Sequence, residues 1–218
     1  MADTEWDVTS TRAKPSRTEK FQRLFELAAG QAGHFTAAQA REVGYSARSL
    51  VHHVAAGHVE RVSRGFYRLV GVPASPHEDI VAAWLRLAPR RAVVSHDTAL
   101  ALYDLAPSRS QEIHLTLPRR CRPRAPQSTS AVALHTTIVP LRRDEVTNRF
   151  GVQLTSPART IADIADIGAD PSVVIEATVR AVSTGLVSPK ELRAAAKRRS
   201  ARVRQLVARA LHEAGLRA

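Results

Sequence analysis

The spacing of apolar residues changes once within the stretch YSARSLVHHVAAGHVERVSRGFYRLVG, residues 45–71, and this change limits what the segment can fold into. Up to Gly57 the residues Leu50, Val51 and Val54 recur at helical spacing and are predicted to face inward. Beyond Gly57, apolar and polar residues alternate on both sides of a Ser-Arg-Gly turn, which is typical of a β-hairpin. Because an isolated hairpin is marginally stable, it is predicted to rest on the preceding helix.

Two more short helices are predicted upstream of this segment. Their starts have the spacing of capping boxes, Ser16 with Glu19 and Thr36 with Gln39. The apolar face of the first helix is predicted to consist of Phe21, Leu24, Phe25, Ala28 and Ala29. Glycines at 30 and 44 are predicted to end these helices, and Ser46 to cap the third. Three short helices followed by a basic hairpin is the order of a winged helix-turn-helix.

A third helix of this kind fits the major groove of DNA, and the hairpin beside it reaches the phosphate backbone or the minor groove. The residues predicted to contact DNA are polar or basic and lie on these two elements: Ser46, Arg48, Ser49, His52, Arg61, Arg64 and Arg68. The alternative is a small helical subdomain with a solvated basic hairpin, since surface arginine is common.

The overall charge also favours a nucleic-acid partner. The 218 residues include 32 Lys and Arg against 20 Asp and Glu, for a formal net charge of +12 and a pI near 11.2. No apolar run is long enough to span a membrane, and the first residues lack the apolar core of a signal peptide. The single cysteine cannot form an internal disulfide, so a cytoplasmic protein without membrane contact is expected.

The composition divides the chain into three segments. Residues 1–16 are predicted to be a flexible tail, residues 17–72 the winged helix-turn-helix, and residues 75–218 a second domain. In that domain Ser75 is predicted to cap a helix, and strands are predicted over 111–118, 131–139 and 150–155, with the other segments mainly helical. The fold class predicted is α+β, a winged helix-turn-helix followed by a mainly helical domain with a small sheet.

Acidic and basic clusters in the second domain offer weaker signals. Asp163 and Asp166 lie opposite an isoleucine-rich face, so a solvated acidic edge that pairs with the basic tail or with a basic partner is expected. From residue 190 onward nine Lys and Arg stand against two Glu, and these helices are expected to contact either DNA phosphates or an acidic protein surface.

No catalytic motif is complete in the sequence. A nuclease would need paired acids and a lysine around a strand, and the strand at 111–118 offers only Glu112 and His114. His52 and His53 are adjacent on a helix and point in different directions, so no metal site is predicted. Cys121 has no positioned base, and no glycine-rich phosphate loop occurs. The protein is expected not to be an enzyme and to need no cofactor.

Two stretches resemble a known family. The run from Phe35 to Val70, ending in GHVERVSRGFYRL, resembles the N-terminal winged helix-turn-helix of AbiEi-type antitoxins, and LTSPARTIADIAD at 154–166 resembles a strand-to-helix segment of their C-terminal domain. The resemblance implies a bacterial antitoxin that binds inverted repeats in its own promoter and counters a cognate AbiEii-type nucleotidyltransferase toxin. It assigns DNA contact to the seven residues given above and assigns no toxin-contacting residue.

One alternative to the antitoxin remains open. The chain would then be a stand-alone DNA-binding transcriptional regulator whose second domain senses a ligand or dimerises.

Overall fold

A computed structural model describes residues 16–108, 110–123 and 132–215. The chain divides into two compact units, Met1–Val72 and Pro73–Ala218. The predicted N-terminal tail, apart from Ser16, lies outside the described residues, as do part of the basic loop after residue 123 and Arg217. No helix among the described residues has the length and apolar character needed to cross a membrane.

Within residues 16–72, the first unit has three short helices and a three-stranded antiparallel sheet with strand order β1-β3-β2. Its elements are α1 (Arg17–Ala29), β1 (His34–Thr36), α2 (Ala37–Glu42), α3 (Ala47–Ala55), β2 (Val59–Ser63) and β3 (Phe66–Leu69). The capping boxes predicted for α1 and α2 are both present. The strand β1 was not predicted, because three residues are too short to show alternation. It pairs with β3 and gives the hairpin the third strand that stabilises it.

The core of the first unit joins the helices to one face of the sheet. It is built around Leu24, Phe35, Leu50, Val59 and Leu69. Four inward-facing predictions were wrong: Ala29 is exposed, and the exposed fractions of Phe21, Phe25 and Val51 are 45%, 40% and 68%. A short helix packed on a three-stranded sheet buries only a narrow stripe of side chains along one side. Residues about 100° around the helix from the centre of that stripe stay exposed to solvent.

The second unit surrounds a mixed five-stranded sheet with order β6-β5-β4-β8-β7. Its strands are β4 (Val93–Val94), β5 (Ile113–Pro118), β6 (Val132–Thr137), β7 (Val146–Arg149) and β8 (Val152–Thr155). Its helices are α4 (Glu78–Leu87), α5 (His96–Leu102), α6 (Pro157–Asp166), α7 (Pro171–Ser183), α8 (Pro189–Lys197) and α9 (Ala201–Glu213). The α+β class predicted from the sequence is therefore confirmed, with two more strands in this sheet than expected.

Two local predictions in the second unit were wrong. Helix α4 begins at Glu78 after His77 and has no side-chain cap, while the Ser75 hydroxyl accepts a hydrogen bond from the His77 amide at 3.3 Å in a turn before the helix. Asp163 does not lie on a solvated edge, because its side chain is only 4% exposed and binds the guanidinium groups of Arg159 and Arg199. The expected pairing with the basic tail is thus present, and it is internal to the unit.

Candidate nucleic-acid interface

Helix α3 presents a polar face to solvent. Its nine residues make a rod roughly 14 Å long, comparable with the width of a major groove. Arg48 and His52 are exposed and lie one helical turn apart, whereas Leu50 on the opposite side is buried in the core. Val51 lies beside them and is the exposed apolar residue of this face. This face of α3 therefore presents the guanidinium group of Arg48, the imidazole of His52 and the methyl groups of Val51 to a binding partner.

The two serines predicted to contact DNA stand at the start of α3. The Ser46 hydroxyl accepts a hydrogen bond from the Ser49 amide at 3.1 Å, which makes Ser46 the N-cap of the helix. Ser46 is exposed and Ser49 half-buried. The first-turn amides have no partner inside the helix, and the positive end of the helix dipole lies here. The start of α3 therefore suits an anion such as a phosphate.

The hairpin formed by β2 and β3 carries arginines at different places. Arg61 lies opposite Tyr67 in the register of β2 and β3, so its side chain is on the sheet face that packs against the helices. Because β2 is an outer strand, the Arg61 side chain is still exposed to solvent. Arg64 is exposed at the tip, followed by Gly65 with a φ of 72°. The Gly65 carbonyl accepts a hydrogen bond from the Ala37 amide at 2.9 Å, which ties the tip to the start of α2.

Arg68 differs from the other predicted contacts. It pairs with Glu60 across the hairpin and therefore lies on the sheet face opposite Tyr67 and the core. Its Nη2 donates a hydrogen bond to the Val72 carbonyl at 3.1 Å. Arg68 thus binds the segment that follows β3. Its side chain lies on the sheet face opposite the one that carries Arg61 and packs against the helices.

A groove of about 810 Å³ runs along α3, and its lining includes residues of α1 that were not predicted from the sequence. Arg17 and Lys20 line it together with Arg48 and His52. The Lys20 side chain passes over Gly44, whose added Cβ would lie 3.1 Å from Lys20 Cε and whose φ is 97°. The absence of a side chain at Gly44, three residues before α3, therefore leaves room for Lys20 of α1 to reach the same groove.

The groove also holds a histidine with a perturbed pKa. Burial lowers the pKa of His53, and the neighbouring charges of His58, Arg17 and His52 lower it further. Its ring lies edge-on to Tyr45, with 5.3 Å between the ring centroids. His53 therefore takes up a proton only at a lower pH than an ordinary histidine. The cationic side chains of Arg17, Lys20 and Arg48 line the same groove.

Comparison with known proteins addresses the first unit most directly. Residues 22–70 match a family model described as transcriptional regulator, AbiEi antitoxin. This segment is similar to that family. The match covers the three-stranded sheet, α2, α3 and most of α1, and it confirms the resemblance found for residues 35–70. The family is one of transcriptional regulators and not of enzymes.

Two other comparisons concern the whole chain. The crystal structure of the RV2827C protein from Mycobacterium tuberculosis has a similar fold, with a TM-score of 0.57, 14% identity, and coverage of 94% of this chain and 80% of that one. No curated protein matches the chain. At 14% identity the likeness shows the shared architecture alone.

The cap of α3 in the AbiEi-type segment gives a first testable prediction. Replacing Ser46 with alanine is expected to destabilise the start of α3 by about 1 kcal/mol, because the Ser49 amide loses its acceptor. Amide hydrogen exchange of residues 47–55 measures the change. Asparagine caps as well as serine, so Ser46→Asn should leave the exchange rates nearly unchanged. Equal acceleration in both variants would show that the cap does not stabilise the helix.

Proposed function

We propose that this chain is the DNA-binding antitoxin of a toxin–antitoxin pair, that it represses its own promoter, and that it counters a co-encoded AbiEii-type nucleotidyltransferase toxin. The DNA-binding half rests on the exposed face of α3, where Arg48 and His52 lie one turn apart. The antitoxin half is supported by the family description of residues 22–70.

In this proposal α3 lies in the major groove. Arg48 donates a forked pair of hydrogen bonds to a guanine edge, and His52 reaches the next base step. Val51 contacts a thymine methyl group, which accounts for an exposed valine between two polar residues. Ser46 and Ser49 sit where the helix start meets the backbone, with the free amides of the first turn aimed at a phosphate.

The cations around α3 supply affinity without sequence preference. Arg61 and Arg64 contact the flanking backbone through the hairpin, and Arg17 and Lys20 contact it from the groove. Arg68, already bonded to Val72, acts by positioning the hairpin. An operator of inverted repeats would bind two copies of the chain, one for each half-site.

Two substitutions separate base contacts from phosphate contacts. Arg64→Ala is expected to weaken binding to every duplex and to reduce the slope of log K against log salt by about 1, since one phosphate contact is lost. Arg48→Ala is expected to remove about 1–3 kcal/mol of the preference for the promoter over a shuffled duplex. Fluorescence anisotropy over a salt series measures both effects.

Arg23→Ala is the matched control for these two variants. Arg23 is exposed, carries the same charge and belongs to the same unit, but it does not line the groove. It should change affinity for either duplex by less than a factor of about three. If Arg48→Ala and Arg64→Ala weaken specific and shuffled DNA equally, α3 does not contact base edges.

The toxin half is tested by genetics and by direct binding. Co-expression with the product of the adjacent gene should relieve that product's toxicity, and the two proteins should be recovered together if the effect is by contact. A chain carrying Arg48→Ala should still relieve toxicity, because that residue is assigned to DNA. Specific DNA binding without any relief would favour a stand-alone regulator with a ligand-sensing or dimerising second unit.

A further inference from the structure

Three histidines of the second unit meet where α5 starts above two neighbouring strands. His96 is the first residue of α5, His114 lies on β5 and His135 lies on β6. The strands are parallel, and Thr116 is paired with His135 in their register. His114 and Thr116 are two residues apart and so share a face, which puts both histidine side chains beneath α5.

The ring nitrogens of these histidines converge. One ring nitrogen of each residue lies within 4.8 Å of those of the other two. His114 Nδ1 and His135 Nε2 are 3.0 Å apart, and the rings of His96 and His135 are stacked with centroids 3.6 Å apart. Two nitrogens bound to one zinc ion at about 2.0–2.1 Å are roughly 3.3 Å apart, so His114 Nδ1 and His135 Nε2 already have nearly this spacing. One of the stacked rings of His96 and His135 must rotate to direct the third nitrogen to the same ion.

Two of the three histidines are buried, and burial lowers the pKa of His96 and of His135. His96 and His114 are 5% and 8% exposed, and His114 Nε2 has no hydrogen-bond partner among the described residues. Burial, then the neighbouring His135 and His114, lowers the pKa of His96 to about 2. Neutral imidazole is the form that binds metals, and the His114 nitrogen that converges on His135 is Nδ1.

The polar network around His96 is built to hold its ring in place. His96 has a φ of 52°, a left-handed conformation that is strained for a residue with a side chain. The preceding Ser95 amide donates to the His114 carbonyl at 2.9 Å, and the Ser95 hydroxyl lies 2.8 Å from Thr116 Oγ1. The same hydroxyl is 2.9 Å from His96 Nδ1, which leaves Nε2 as the free ligand atom.

We propose that His96, His114 and His135 bind one divalent transition metal ion of the zinc class. Three imidazoles leave a fourth position open for water or a small ligand, as in three-histidine zinc sites. An all-nitrogen donor set selects zinc, nickel or copper over magnesium and calcium, which prefer oxygen. Edge strand β6 carries the half-exposed His135 and gives the ion a route from solvent.

Charges near the cluster are compatible with a cation. The carboxylates of Asp97 and Glu112 act favourably on a positive charge at His135. Arg159 and Arg199 act in the opposite direction on His96, but both guanidinium groups are paired with Asp163. A bound ion would join the start of α5 to β5 and β6 and would stabilise this end of the sheet.

The test uses the untagged full chain freed of metal with a chelator. Titration calorimetry with zinc alone is expected to give one site per chain, and the thermal midpoint of the second unit is expected to rise. Cobalt, used as a spectroscopic substitute, should produce the visible absorption of a tetrahedral nitrogen site. Absence of both a calorimetric site and a cobalt spectrum in the unaltered chain overturns the proposal without any variant.

Variants then assign the site. His135→Ala, at the half-exposed edge strand, should reduce zinc affinity by more than the roughly 10–100-fold typical of losing an outer partner. His114→Gln should abolish the cobalt spectrum, with circular dichroism to confirm folding. His212→Ala, an exposed histidine on α9, and His53→Ala in the first unit are the controls and should keep one site. Zinc binding lost in a control but kept in His135→Ala would place the ion elsewhere.

Discussion

Replacing Leu50 with alanine is expected to lower the free energy of unfolding of the first unit by about 3 kcal/mol. Leu50 is 2% exposed and is the residue that anchors α3 in the core, where it joins Phe35 and Leu69. Truncation removes its buried methyl groups and leaves a cavity that a small, tightly connected unit cannot close. Because α3 then loses its fixed position, binding to promoter DNA should fall with stability.

The neighbouring Val51 supplies the matched control. Its exposed fraction is 68%, so Val51→Ala should change the free energy of unfolding by less than about 0.5 kcal/mol. Amide hydrogen exchange of the α3 peptides in the full chain measures both variants, since it follows the first unit separately from the second. Equal protection in Leu50→Ala and Val51→Ala would mean that α3 is not held by Leu50 and would contradict this packing.

Replacing Asp163 with alanine is expected to destabilise the second unit by about 3 kcal/mol. The Asp163 carboxylate accepts hydrogen bonds from Arg159 Nε at 2.9 and 3.0 Å and also binds Arg199. The side chains of Arg159 and Arg199 are 11% and 18% exposed, so removing the shared anion leaves two partly buried cations. Arg159 keeps Glu145 and Arg199 keeps Asp166 as a second acidic partner. The loss of stability is therefore expected at the lower end of the range for breaking a fully buried ion pair.

Denaturant unfolding followed by Trp84 fluorescence measures this loss. Trp84 lies in α4, and its Nε1 donates to the Ala92 carbonyl at 2.8 Å, so it reports on the second unit. A Trp6→Phe background makes it the single tryptophan of the chain. Asp166→Ala is the control, because that carboxylate is 39% exposed and has Arg199, at 2.8 Å, as its one ion-pair partner among the described residues. Its loss should cost under about 1 kcal/mol. Equal losses from the two aspartates would show that burial does not set the strength of the network.

Local chemistry was sufficient to predict the helix starts of the first unit. Ser16 and Thr36 both begin capping boxes in the structure, as their spacing to Glu or Gln predicted, and Ser46 caps α3. A cap depends on residues three positions apart, so the sequence contains all of it. The change of period at residue 57 likewise predicted the order of helix and hairpin in the first unit.

The remaining features depend on residues far apart in the chain. The β1 and β4 strands have three and two residues and form only because partners elsewhere pair with them. Asp163 is buried because Arg199, 36 residues later, returns to it. The three histidines are 18 and 21 residues apart and match no short metal-binding motif, so the sheet register had to bring them together. For the same reason, the sequence did not predict that Arg17 and Lys20 line the groove along α3.

The central claim is that α3 and the hairpin tip meet duplex DNA. Its most direct test is the change in backbone amide resonances of the isotope-labelled full chain when duplex from its own promoter is added. The largest changes are expected at residues 46–52 and 61–66, with smaller ones at Arg17 and Lys20, and a shuffled duplex should reproduce the hairpin changes but not those of Arg48 and His52. Changes confined to the second unit, with residues 46–66 unaffected, would contradict the account.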